Sequence, residues 1–181
     1  MTWFAVAACA WICFGREIGL KSALSLGPAG VAPSFVVPLA VFIGLSAPAL
    51  HVLWGCLALG LVMDLTWMRE QMTVGPYALG FLLAGYLTLN VRGLMIGRNP
   101  VTMTVMSVAF AAIVALVVSA ATAARHWLWG AGALADASLP PRLGSALYTG
   151  AAGLVMFFAL GVAAGAFQFQ PATHRGWQAR G

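Results

Sequence analysis

The chain is short of charge, and of negative charge above all. Its 181 residues hold four Asp and Glu against nine Lys and Arg, 7% charged in all. Soluble domains carry about 25%, so this set is too sparse to cover a water-facing surface. Scarce acids also weigh against an enzyme acting on lipid phosphates through metal, which wants several Asp in one loop. The four acids are scattered, and no HExxH, GxSxG, CxxC or phosphate-binding loop is present. His51, His126 and His174 fall in separate expected loops or loop edges. No catalytic residue, metal site or cofactor is expected. Cysteine is scarce too: Cys9, Cys13 and Cys56 all sit in apolar runs, too few for a disulfide framework and without metal-ligand spacing. They read as free thiols used for packing.

What fills the chain instead is apolar: 62% of residues are hydrophobic and the mean hydropathy is +0.94. The solvent for most of it is lipid. At roughly 20 residues per crossing, the length allows five or six helical spans in a single transmembrane domain. The runs are continuous, not alternating, which argues against a β-barrel. The expected spans are 2–15, 31–47, 50–67, 76–92, 101–124 and 143–169. The second is short and contains Pro33 and Pro38, so it should begin extended or kinked, or be re-entrant. Met1 to Phe14 lacks a basic start, and only five residues precede the lipobox-like Val6-Ala-Ala-Cys9. That segment reads as an uncleaved first span.

The basic residues are spread along the chain and read as anchors and topology signals, not as a nucleic-acid surface. With six spans, Arg92, Arg98, Arg175 and Arg180 share one side. Arg16, Lys21, Arg69, Arg125 and Arg142 share the other, with Glu17, Glu70 and Asp136. Four against five is nearly even. Placing the short basic Arg92–Arg98 loop inside puts both termini in the cytoplasm. Trp3, Trp54, Trp67, Trp127, Trp129 and Trp177 lie mostly near span ends, as an aromatic belt would.

Asp64 stands alone: from Ser22 to Met68 it is the only formally charged side chain. A carboxylate after so long an apolar run is costly unless it reaches water or a partner. It can cap a neighbouring element, pair with Arg69, meet a partner protein or serve transport, and its place near a span end favours the cap or ion pair. In the fifth span Ser107, Ala111, Ala115, Ser119 and Ala123 recur every four residues, a small-residue stripe on one helix face. Small residues let helices approach closely in lipid. Gly161-x-x-x-Gly165 and Gly80-x-x-x-Ala84 add to the pattern. Packing inside the bundle is the plainer reading, and reception of a partner's helix the sharper one.

From Pro33 to about Pro100 the order of features resembles the rod shape-determining protein MreD family. The elements are Pro33-Ser-Phe-Val-Val-Pro-Leu-Ala-Val-Phe-Ile43, then Gly55-x4-Gly60-Leu61-x2-Asp64-Leu65, then Val74-Gly75-x2-Ala78-Leu79, then Gly85-Tyr86-Leu87, and the basic turn Arg92 to Pro100 followed by a long apolar segment. Val74 stands where the family commonly has Leu. The resemblance covers some 70 residues strongly; segment 125–142 is poorly constrained by it. It implies an all-α integral membrane protein, a compact bundle of about six transmembrane helices similar to the substrate-binding subunits of energy-coupling-factor transporters. It also implies a non-catalytic subunit of the cell-elongation machinery in the bacterial cytoplasmic membrane. Its expected partners are an MreC-like single-span protein, RodA, a class B penicillin-binding protein and the MreB filament. Structural or partner-contact candidates are Asp64, Gly60, Gly75, Gly85, Arg98, Ala111, Ala115 and Ser119. The alternative is the vitamin-binding membrane subunit of such a transporter, for which the polar inventory within the spans is thin.

Overall fold

The computed structural model describes residues 3–26, 31–71, 75–94, 99–129 and 139–167. They form six α-helices: α1 (Trp3–Leu24), α2 (Val36–Ser46), α3 (Ala49–Gln71), α4 (Pro76–Val91), α5 (Pro100–Trp129) and α6 (Leu139–Phe167). A 3-10 turn, Arg92–Leu94, follows α4. Three stretches are long and apolar enough to cross a membrane: Ala49–Thr66, Pro100–Arg125 and Pro140–Val162.

The helices outrun the apolar runs that announce them. α1 continues through Arg16 and Glu17 to Leu24 instead of closing there. The cause is visible in burial: Arg16 stays exposed while Glu17 turns inward. α5 likewise runs on to Trp129. His51 and His126 consequently lie within α3 and α5, not in loops; His174 lies outside the described residues.

The second segment is the fold's organiser. Its helix has 11 residues, about 16 Å at 1.5 Å each, roughly half of a 30 Å hydrocarbon core. Every residue from Val36 to Gly44 is buried, and α2 packs against all five other helices. A helix apolar all round belongs in a core. Residues 31–35 lead into it without helical hydrogen bonds. Their backbone is served by side chains of other helices: Ala32 N–H donates to Ser145 Oγ (3.3 Å) and Ser34 N–H to Thr149 Oγ1 (3.0 Å). Backbone without helical partners persists in a packed interior only where other groups satisfy it in this way.

Close packing around α2 uses glycine. A Cβ on Gly60 of α3 would lie 2.6 Å from Ala78 Cα of α4, and one on Gly85 of α4 2.6 Å from Cys56 Sγ of α3. On the α5–α6 seam, a Cβ on Gly153 would lie 2.8 Å from Ser107 Oγ. Phe81 and Phe110 meet edge to face at 5.3 Å between α4 and α5, a favoured aromatic geometry. These pairings run consecutive helices in opposite directions. The ends of α1, α3 and α5 therefore gather with the starts of α2, α4 and α6.

Candidate functional site

At that gathered end, two helices begin without a cap of their own. Phe35 occupies the N-cap position of α2 and Gly75 that of α4, and neither supplies a capping side chain. The first N–H groups of any helix lack intrahelical acceptors. In both places a carboxylate from the preceding helix provides one.

Asp64 serves α4. Its Oδ2 accepts from Gly75 N (3.0 Å) and Ala78 N (2.9 Å), and its Oδ1 from Tyr77 N (3.0 Å). The side chain is only 2% exposed, so these bonds, with the positive end of the α4 dipole, stand in for water. Gly60, one turn before Asp64, lets the start of α4 close onto α3. Gly75 adopts φ 131°, a conformation glycine takes without a Cβ penalty. Gly85 repeats the close approach two turns along α4, against Cys56. Asp64, Gly60, Gly75 and Gly85 thus lie along one α3–α4 joint. Arg69 and Arg98 have side chains outside the described set.

Glu17 serves α2 by the same device. Its Oε2 accepts from Ser34 Oγ (3.0 Å), Phe35 N (2.9 Å) and Val36 N (3.3 Å), and the residue is 8% exposed. Sequence reasoning missed this role, treating Glu17 as a loop charge after the first span. The available signal was Pro33-Ser34-Phe35: a helix start after proline with a large apolar residue at its N-cap needs an acceptor from elsewhere. At the opposite end of α2, Arg92 donates from Nη1 to Ala47 O (2.8 Å), a cation at a helix C-terminus. The core helix is held at both ends by charges from neighbours.

Between these caps lies a cavity of about 220 Å³. Glu17, Ser34, Tyr77, Arg142 and Ser145 stand toward the helix ends, and Val37, Met63, Phe81, Ala111 and Val114 lie deeper. The small-residue stripe of α5 divides here. Ser107 meets Gly153 of α6, whereas Ala111 and Ala115 border the cavity. Ser119, one turn nearer the end of α5, accepts from Arg142 Nη1 at 3.3 Å, and Ala123 is exposed. Part of the stripe therefore leaves space instead of closing it. Among the described residues no three His, Cys, Asp or Glu side chains group as metal ligands. The chain matches no family model, no curated protein and no solved structure.

Proposed function

We propose that this chain is a non-catalytic, six-span subunit of a bacterial cell-elongation complex in the cytoplasmic membrane, binding an MreC-like single-span protein. The observation that carries the reading is the α3–α4 joint. The residues that carry the resemblance to the MreD family, Gly60, Asp64, Gly75 and Gly85, do one coherent job there. An ordered set of motif residues that builds one rigid hairpin is better support than the same letters scattered. The hairpin presents Leu61, Leu65, Leu79 and Leu83 outward, an apolar face suited to lipid or to a partner's helix. RodA, the class B penicillin-binding protein and the MreB filament complete the proposed assembly. In the orientation with cytoplasmic termini, the capped end of the bundle faces outward. Depletion in the native bacterium tests the role: cells should widen and round as the protein is lost, and unchanged cell width after complete depletion would overturn it.

A second reading, the substrate-binding subunit of a vitamin transporter, is favoured by one observation, the cavity with its polar rim. Co-purified vitamin, or loss of vitamin uptake on depletion with cell shape intact, would select it.

A further inference from the structure

We infer that the cavity binds one small neutral molecule, a two-ring apolar body carrying a single acceptor oxygen such as that of a ketone. This holds under either functional reading, because it rests on the cavity walls alone. The larger part of those walls is apolar. Val37, Met63, Phe81, Val114 and Ala146, one from each of α2 to α6, line the cavity and are all buried. Five helices therefore converge on a space they do not fill. A dry cavity of about 150 Å³ holds a benzene ring, so about 220 Å³ takes two fused rings. Length agrees: Ala111 and Val118 of α5 both line it, separated by a rise of about 10 Å.

The charges in the walls disfavour a charged occupant. Glu17 accepts three bonds through Oε2, Arg142 donates to Ser119, and both make further interactions within the protein. A carboxylate would meet Glu17 and an ammonium would meet Arg142, each without a counter-charge that is not already engaged. Burying a charge on those terms is costly. The hydroxyls narrow the choice further. Ser34 Oγ donates to Glu17, while Thr149 Oγ1 accepts from Ser34 N–H and donates to Ser145 O. Ser145 differs. Its Oγ accepts from Ala32 N–H at 3.3 Å, and its own O–H has no acceptor among the described residues. A serine hydroxyl carries one donor besides its lone pairs. Ser145, which lines the cavity, therefore offers one hydrogen bond to an acceptor oxygen lying against α6.

The full chain in lipid nanodiscs is titrated with tritiated 1-tetralone, a bicyclic ketone. Empty nanodiscs are subtracted, and affinity is referred to the concentration in lipid, where such molecules partition. Saturable binding at one per chain is expected. Tetralin, the same body without the oxygen, should compete about threefold to tenfold more weakly, the loss of one neutral hydrogen bond. 1-Naphthoate and 1-naphthylmethylammonium, an anion and a cation of similar size, should not displace the ketone. Ser145→Ala should bring the ketone down to the affinity of tetralin and leave that of tetralin unchanged, which a loss of packing alone would not do. Ala115→Leu, which adds three carbons where α5 borders the cavity, should weaken both by about tenfold or more. If that variant does not fold, Ala111→Leu, one turn earlier on α5, replaces it. No saturable binding of the ketone overturns the inference, as does displacement by either ion. So does an affinity that ignores the filling substitution, the absence of a gap between ketone and tetralin, or a gap that survives Ser145→Ala. Retention of a partner protein is a separate readout and can fail on its own.

Discussion

Asp64→Asn removes one charge and one acceptor from a site that uses both. Asp64, itself buried, receives three backbone N–H groups on two oxygens, that of Ala78 buried and those of Gly75 and Tyr77 half-buried. Asparagine keeps one oxygen. Placed toward Gly75 and Ala78, it retains two neutral bonds and turns its amide NH2 against the Tyr77 N–H. The lost charge-assisted bond amounts to about 1.5–3 kcal/mol, and the lost interaction with the helix dipole adds about 1–2 kcal/mol in a buried setting. The expected cost is therefore about 2.5–5 kcal/mol. For a domain of this length each kcal/mol moves Tm by about 2–4 °C, so a drop on the order of 10 °C is expected. Tryptophan-fluorescence melting in mild detergent reads it. Leu65→Ala, at an exposed neighbour, is the control and should shift Tm by no more than about 2 °C. An Asp64→Asn melt indistinguishable from that control would refute the capping argument.

Glu17→Gln should destabilise by about 2–4 kcal/mol, because three donors around the start of α2 depend on its Oε2; hydrogen exchange should show residues 34–37 opening first. Gly60→Ala should cost about 1–3 kcal/mol by overpacking, since its Cβ meets backbone of Ala78 and Tyr77 and not a flexible side-chain tip; Gly161→Ala, with nothing within 4 Å, should melt like the parent. Arg92→Met keeps the stem and removes the bond to Ala47 O. A loss of about 1–3 kcal/mol in the same melt is expected.

The sequence made the helical, lipid-facing character plain because composition alone decides it. Asp64 was conspicuous because it stands alone in a long apolar run, and its position near a span end pointed to a cap. The twin role of Glu17 was hidden for the opposite reason. It follows Arg16 at the edge of an apolar run, where a charge needs no explanation. Only the tertiary contact between α1 and the start of α2 reveals that it faces inward. The second segment was recognisably short, yet its central placement depends on five neighbours that no local pattern encodes. The α5 stripe shows a different limit. Spacing says which residues share a face, but a small residue can either admit a neighbouring helix, as Ser107 does with Gly153, or leave space, as Ala111 and Ala115 do.

The central claim, that this capped bundle is an elongation-complex subunit, meets its most direct test in the native membrane. The full-length tagged chain is crosslinked in growing cells, extracted in mild detergent, and its bound proteins identified and quantified. The account predicts a stoichiometric single-span protein with a large extracytoplasmic domain, lost or much reduced when Asp64→Asn loosens the α3–α4 joint. Recovery of an ATPase-linked transport complex instead, or of no single-span partner at all, would contradict it.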